Sequence, residues 1–153
     1  MNLAEKQQAL IGEMADLFGK ISAYNKPIME RVFADLTLSE IETIELIATI
    51  EDANVTKLAE KSYMTRGAIS KMAKKMQAKN LIETYQHASN KKEVYFRLTP
   101  AGEAIEQQHR QMHAEFFKRD QVVFEQVSEK TLDDMRAFIA TYTQYMDDLQ
   151  QQS

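Results

Sequence analysis

The sequence predicts a mainly α-helical fold with one small β-hairpin, and three observations carry that prediction. Glycine and proline are scarce, four and two in 153 residues, so few positions are marked for turns. Apolar side chains near both ends recur every 3.5 residues, the spacing of helices packed side by side. Only between residues 81 and 98 do two β-type stretches flank a polar, turn-forming segment.

The elements follow in order. Leu3, Leu10, Met14, Leu17, Ile21, Tyr24 and Ile28 form the first stripe, and from Leu10 the steps are 4, 3, 4, 3 and 4. Pro27 is expected to kink or restart this helix. Thr37-Leu38-Ser39-Glu40 reads as a capping box, with Leu36 and Ile41 as its staple. Behind it, Ile41, Ile44, Ile47 and Ala48 give a buried face that ends at Glu51-Asp52-Ala53-Asn54. A short helix over 56–62 turns Leu58 and Ala59 inward, and a tight turn at Tyr63-Met64 follows. Thr65 caps a helix to about Lys79, with Ile69, Met72, Ala73 and Met76 inside and Asn80 as a left-handed stop. The hairpin strands are 81–86 and 93–98, with a polar loop over 87–92. Thr99-Pro100 opens a helix to about Gln126, and Ser128 caps the last one. There Leu132, Met135, Ile139, Tyr142, Met146 and Leu149 repeat the seam spacing.

Composition bounds the function. Apolar residues are 44 % and charged residues 27 %, an ordinary globular balance for one domain. The absence of cysteine excludes disulfides, thiolate metal sites and a cysteine nucleophile. Apolar runs are too short to span a bilayer, and MNLAEKQQAL is no signal peptide, so a cytoplasmic protein without a membrane partner is expected. No phosphate loop, nucleophile elbow or paired-carboxylate motif appears. In His109-Arg110-Gln111-Met112-His113 an arginine stands where a zinc protease needs its glutamate base. The chain therefore reads as a non-enzyme.

The net charge of −4 argues against a nucleic-acid partner until it is resolved by position. Residues 61–97 carry nine bases against two acids, Glu83 and Glu93, for a net +7. The remainder carries ten bases and 21 acids, a net −11. Charge alone suits a solvated lysine-rich face as well as a phosphate-binding one. The helix opened by Thr65 is more specific. Opposite its apolar stripe lie Gly67, Ser70, Lys71, Lys74 and Ala78, and no acid occurs between Lys61 and Ile82. A helix that meets only water usually mixes acids in at i,i+4. Two short helices joined by a tight turn, followed by a hairpin with a basic tip, make a winged helix-turn-helix.

In this order and spacing, four segments resemble the MarR family of winged-helix transcription regulators. They are Leu36-Thr37-Leu38-Ser39-Glu40, Met64-Thr65-Arg66-Gly67-Ala68-Ile69-Ser70-Lys71, Lys79-Asn80-Leu81-Ile82 and Leu98-Thr99-Pro100-Ala101-Gly102. The resemblance covers nearly the whole chain. It implies a homodimer whose terminal helices dimerise and whose two winged helices bind a pseudo-palindromic operator in double-stranded DNA. The expected organisation is a dimerisation helix over 1–33, a winged helix-turn-helix over 34–98 and dimerisation helices over 99–153. An intramolecular bundle is the alternative use of the two seams. Expected DNA contacts are Thr65, Arg66, Gly67, Ser70, Lys71, Lys74 and Lys75 from the helix, and Asn90, Lys91 and Lys92 from the wing. Asn90 and Lys91 stand where the family carries an Asp-Arg pair. Repression through an effector-sensitive operator affinity is the more usual family behaviour. No cofactor is required, and the effector is an unidentified small molecule or a metal.

His109 and His113, four apart, share one helix face, as two zinc ligands could. Zinc-sensing family members are similar here and complete the site from their first and second helices. That resemblance implies the set Glu30, Glu42, His109 and His113, with Glu42 at the second-helix position, Tyr24 at the first-helix one and Glu30 nearby. A partly buried histidine pair with ordinary hydrogen bonds is the competing reading. In a different class, a helical protein–protein adaptor explains both seams but leaves the acid-free helix and basic hairpin without a purpose.

Overall fold

The structure is a computed structural model and describes residues 1–153. Its elements are α1 (Leu3–Val32), α2 (Leu38–Thr49), α3 (Val55–Ser62), α4 (Arg66–Ala78), β1 (Ile82–His87), β2 (Asn90–Leu98), α5 (Pro100–Phe124) and α6 (Glu129–Gln151). The chain divides into two compact units, Met1–His109 and Arg110–Ser153. No helix is long and apolar enough to cross a membrane.

In the first unit, α1 begins at a capping box that periodicity does not reveal. The Asn2 side chain accepts from the Glu5 N–H at 2.9 Å, and the Glu5 carboxylate accepts from the Asn2 N–H at 2.8 Å. α1 runs on past Pro27, so the expected restart does not occur. A proline removes the bond its own nitrogen would donate and crowds the carbonyl one turn back, but the turn beyond it is anchored by buried Met29 and Phe33.

Thr37 caps α2 as expected, its Oγ1 accepting from the Glu40 N–H at 3.2 Å. The return half of the capping box is not made. The Glu40 side chain is buried instead, taking the Thr37 hydroxyl at 3.2 Å on one oxygen and Lys79 Nζ at 2.9 Å on the other. A buried carboxylate needs a cation more than it needs a backbone donor. Ile41, Ile44 and Ile47 are buried, but Ala48 is exposed. Thr43 takes the inner position, donating to the Ser39 carbonyl at 2.8 Å, with its hydroxyl 3.2 Å from the Met72 sulfur.

Asn54 caps α3, which ends at Tyr63 in the left-handed region, φ 57°. Thr65 then caps α4 through the Ala68 N–H at 3.1 Å. α4 stops at Ala78, and Asn80 takes the expected left-handed conformation, φ 56°. Leu58, Ile69 and Met76 are almost wholly buried with Ile44 of α2, and Ile82 and Phe96 of the hairpin close the same core. Full burial of each such side chain stabilises the fold by about 1.5–3 kcal/mol.

The hairpin is longer, and its turn tighter, than the residue pattern predicts. β1 reaches His87 and β2 starts at Asn90, so only Ala88-Ser89 forms the turn. Asn90, Lys91 and Lys92 are strand residues rather than loop. The antiparallel register runs Ile82↔Leu98, Glu83↔Arg97, Thr84↔Phe96 and Tyr85↔Tyr95, then slips to His87↔Asn90. Two steps along β1 are thus answered by five along β2. The surplus β2 chain holds Lys91 and Lys92 outside one-to-one pairing, as a bulge does. Thr99 closes the hairpin onto α5, donating to the Asn80 carbonyl at 2.6 Å and accepting from the Gly102 N–H at 3.1 Å. Any Cβ at position 102 would overlap the Leu81 carbonyl oxygen, so only glycine allows this approach.

In the second unit, α5 ends at Phe124, and Ser128 caps α6 through the Thr131 N–H at 3.1 Å. No residue of α6 is buried: Met135, Ile139, Tyr142, Met146 and Leu149 are 40–53 % exposed. α1 likewise leaves Leu10, Leu17, Ile21 and Tyr24 exposed along its stripe.

Candidate nucleic-acid interface

The interface starts from α4. Its inner residues, Ile69, Ala73 and Met76, are fixed in the core, which sets the rotation of the helix. At 100° per residue the opposite face is then Gly67, Lys71 and Lys74, with Ser70 half-buried at one edge and Lys75 exposed at the other. The side chains of Arg66, Lys71, Lys74 and Lys75 make no hydrogen bond or ion pair within the chain. A Cβ at Gly67 would meet nothing within 4 Å, so no packing in the fold demands glycine there. Thr65 uses its oxygen lone pair to cap α4, and its hydroxyl proton stays available to a phosphate.

Lys79, the last lysine of this basic run, is different. Its ammonium donates to the Asp35 carbonyl at 2.7 Å and to Glu40 at 2.9 Å, so its charge is engaged inside the fold. In the wing, Lys91 and Lys92 are exposed, and their ammonium groups have no acidic partner. The Asn90 side chain accepts from the Lys92 N–H at 3.2 Å, and the Gln86 amide donates to the Lys91 carbonyl at 2.8 Å. These two bonds shape the unpaired stretch and leave both lysine heads in water.

Two residues in this region carry no functional signal in the sequence. Tyr63, immediately before the Met64-Thr65 step into α4, is 82 % exposed in a left-handed conformation that bulky residues rarely adopt. Asp52 lies between α2 and α3 with φ 49° and binds two wing side chains, Tyr85 and His87. The sequence offers only a helix-ending tetrapeptide at Asp52, since a contact thirty-odd residues away along the chain leaves no local pattern.

Of the expected zinc ligands, Glu30, Glu42 and His109 belong to the first unit and His113 to the second. In the first unit His109 is buried, with Nδ1 3.9 Å from Glu45 Oε2 and its ring edge-on to Phe33 at 6.3 Å. Glu42, three residues before Glu45, is exposed, and Glu30 lies 3.8 Å from Lys26. In the second unit His113 packs its ring against Phe116 at 6.1 Å. No group of three or more His, Asp or Glu side chains able to hold a metal ion forms anywhere in the chain.

Comparison with known proteins bears on the same segment. Residues 36–94 match the model of the MarR family. The chain is 30 % identical over 137 residues to the uncharacterised HTH-type transcriptional regulator YhjH of Bacillus subtilis (strain 168), covering 86 % of this chain and 78 % of that protein. It is 27 % identical over 112 residues to YvnA, a second such regulator of the same organism, covering 73 % and 71 %. Among solved structures, Streptococcus pneumoniae FabT in complex with DNA superposes with a TM-score of 0.79 at 19 % identity, over 94 % of this chain and 99 % of that one. Staphylococcus aureus MarR in complex with salicylate and kanamycin gives 0.71 at 16 % identity, over 97 % and 95 %. At such identities these two structures establish a shared fold.

Proposed function

The chain belongs to the MarR family of transcription regulators and carries that family's DNA-binding fold, not an enzyme's active site; from this premise we propose that it is a homodimeric, operator-binding repressor whose affinity a small effector adjusts. One observation carries the proposal: the exposed face of α4 is basic, free of acid and unpartnered, while its other face is locked into the core. Arg66 and Ser70, near the start of α4, reach base edges in the major groove. Thr65, Lys71, Lys74 and Lys75 meet phosphates and set the register, and the clear space around Gly67 admits the groove wall. Asn90, Lys91 and Lys92 meet the flanking backbone.

Dimerisation is supported by the apolar stripes of α1 and α6, each left uncovered by its own unit. A two-fold dimer would place two α4 helices about one DNA turn apart, roughly 34 Å. The acidic remainder of the chain repels DNA from every other face. The pneumococcal neighbour crystallised with DNA supports the target, and the staphylococcal neighbour crystallised with salicylate supports a small aromatic acid as the class of effector to try first. Such an effector shifts affinity only by its preference between two spacings of the reading helices.

The test is binding to the DNA upstream of the protein's own gene at two salt concentrations. Affinity should fall steeply with salt. Arg66→Ala should change the preference among operator sequences, whereas Lys74→Ala should weaken all sequences alike. Binding that ignores salt, or no binding at all, would favour a protein–protein adaptor.

A further inference from the structure

A two-stranded ribbon has little stiffness of its own, so what orients this wing must come from outside it. At its root the Phe96 N–H donates to the Ala53 carbonyl at 2.8 Å. Nearer the turn the neighbouring residue, Asp52, takes over. One carboxylate oxygen, Oδ1, accepts from the Tyr85 hydroxyl at 2.6 Å and lies 2.8 Å from Nε2 of His87. His87 is the last residue of β1, directly before the turn and opposite Asn90. Around the contact the rings of Tyr85, His87 and Tyr95 lie 5.0–5.6 Å apart, and the Arg97 guanidinium sits 5.4 Å from the Tyr85 ring centre. Arg97 is itself held by Glu83 at 2.8 Å.

The anchor is as well fixed as the side chains it holds. Asp52 is in the left-handed region, which aspartate tolerates. The Lys57 ammonium donates to the Glu51 and Asp52 carbonyls at 3.0 and 3.2 Å and pins the loop. The bonds from Tyr85 and His87 hold the Asp52 carboxyl below its usual range, as expected of a carboxylate that works as an acceptor. Beyond His87 the chain turns at once into the unpaired stretch that displays Lys91 and Lys92.

We propose that Asp52 is the positioning residue of the wing: through Tyr85 and His87 it fixes where Lys91 and Lys92 are presented to the DNA backbone, without touching DNA itself. The inference rests on the wing contacts proposed above. It distinguishes Asp52 from a merely stabilising residue, because its removal should abolish the hold of those two lysines on phosphate and no other part of DNA binding.

Four proteins test it: wild type, Lys91→Ala/Lys92→Ala, Asp52→Ala, and all three substitutions together. Operator affinity is read by fluorescence anisotropy from 50 to 200 mM salt, with circular dichroism confirming the fold. Removing the lysine pair should reduce the slope of log K against log salt by about 0.9 for each phosphate that is no longer neutralised. Asp52→Ala should reduce it by a similar amount, and the triple variant should bind no more weakly than the lysine pair variant. Asp52→Asn, whose carbonyl oxygen still accepts from both partners, should restore most of the slope. If Asp52→Ala does not fold, Tyr85→Phe/His87→Ala releases the wing from the other side and should give the same result. A wild-type slope in the folded Asp52→Ala protein, or an affinity loss that adds in full to that of the lysine pair, overturns the inference. If the lysine pair variant itself matches wild type in affinity and slope, the wing does not meet DNA, and both the proposed wing contacts and this inference fall.

Discussion

Lys74 and Lys79 lie within the same basic stretch, yet the structure gives them opposite work, and exchanging each for alanine separates the two. Lys74 is exposed and unpartnered on the outer face of α4. Lys79 Nζ holds Glu40, whose side chain is 5 % exposed, and the Asp35 carbonyl. With one phosphate fewer neutralised by each copy of the proposed dimer, the salt slope should fall by about 1.8, so the wild type's lead over Lys74→Ala shrinks by about twelvefold between 50 and 200 mM salt. The melting temperature of Lys74→Ala should stay the same. In Lys79→Ala the Glu40 carboxylate loses its cation. Breaking a fully buried pair costs about 3–5 kcal/mol; the Lys79 side chain is 38 % exposed, so water offsets part of this and about 2 kcal/mol remains. For a chain of this size that is a drop in melting temperature of roughly 4–8 °C. Its salt slope should match wild type. Differential scanning fluorimetry and anisotropy titrations on the same preparations check both. A flattened salt slope with unchanged melting in Lys79→Ala would refute the assignment of its charge to Glu40.

Two further outcomes follow from the site. The hydrogen bond to Asp52 pushes the Tyr85 hydroxyl up to about 12, so absorbance titration should show a tyrosine ionisation near pH 12 that is missing in Tyr85→Phe. Because that folded-state value is raised above the ordinary 10, the bond's contribution to stability is complete below pH 10 and lost as pH climbs towards 12; Tyr85→Phe should flatten that alkaline limb, and Asp52→Ala should move the Tyr85 ionisation to lower pH. Zinc itself tests the His109/His113 pair: a melting temperature that rises with added zinc and loses that rise in His109→Ala would support a metal site, and no zinc retained after chelator dialysis would overturn it.

Much of the fold is legible in the sequence because its signals are local. Thr37, Thr65, Thr99 and Ser128 each cap the helix that spacing assigns to them, and Asn80 takes its left-handed turn. Apolar spacing places Ile44, Leu58, Ile69 and Met76 in the core. The departures lie where a partner distant in the chain displaces a local one. Glu40 gives up its capping bond for Lys79, and Thr43 displaces Ala48 from the inner face of α2 by bonding to Ser39 beside Met72. Pro27 does not restart α1 because buried Met29 and Phe33 hold the next turn.

The sequence by itself determined the helix order, the core, the acid-free face of α4 and the family. These depend on the order of residue types along the chain and on fixed helical and strand periods. Only the tertiary structure decided which cations are free. It commits Lys79 to a buried carboxylate, leaves Lys71 and Lys74 unpartnered, and uses Asp52 to hold the wing from outside. A formal charge can be counted from the sequence, but whether it faces water or an opposite charge depends on distances between residues far apart in the chain. The net +7 of residues 61–97 therefore overstates what can reach DNA by at least the charge of Lys79.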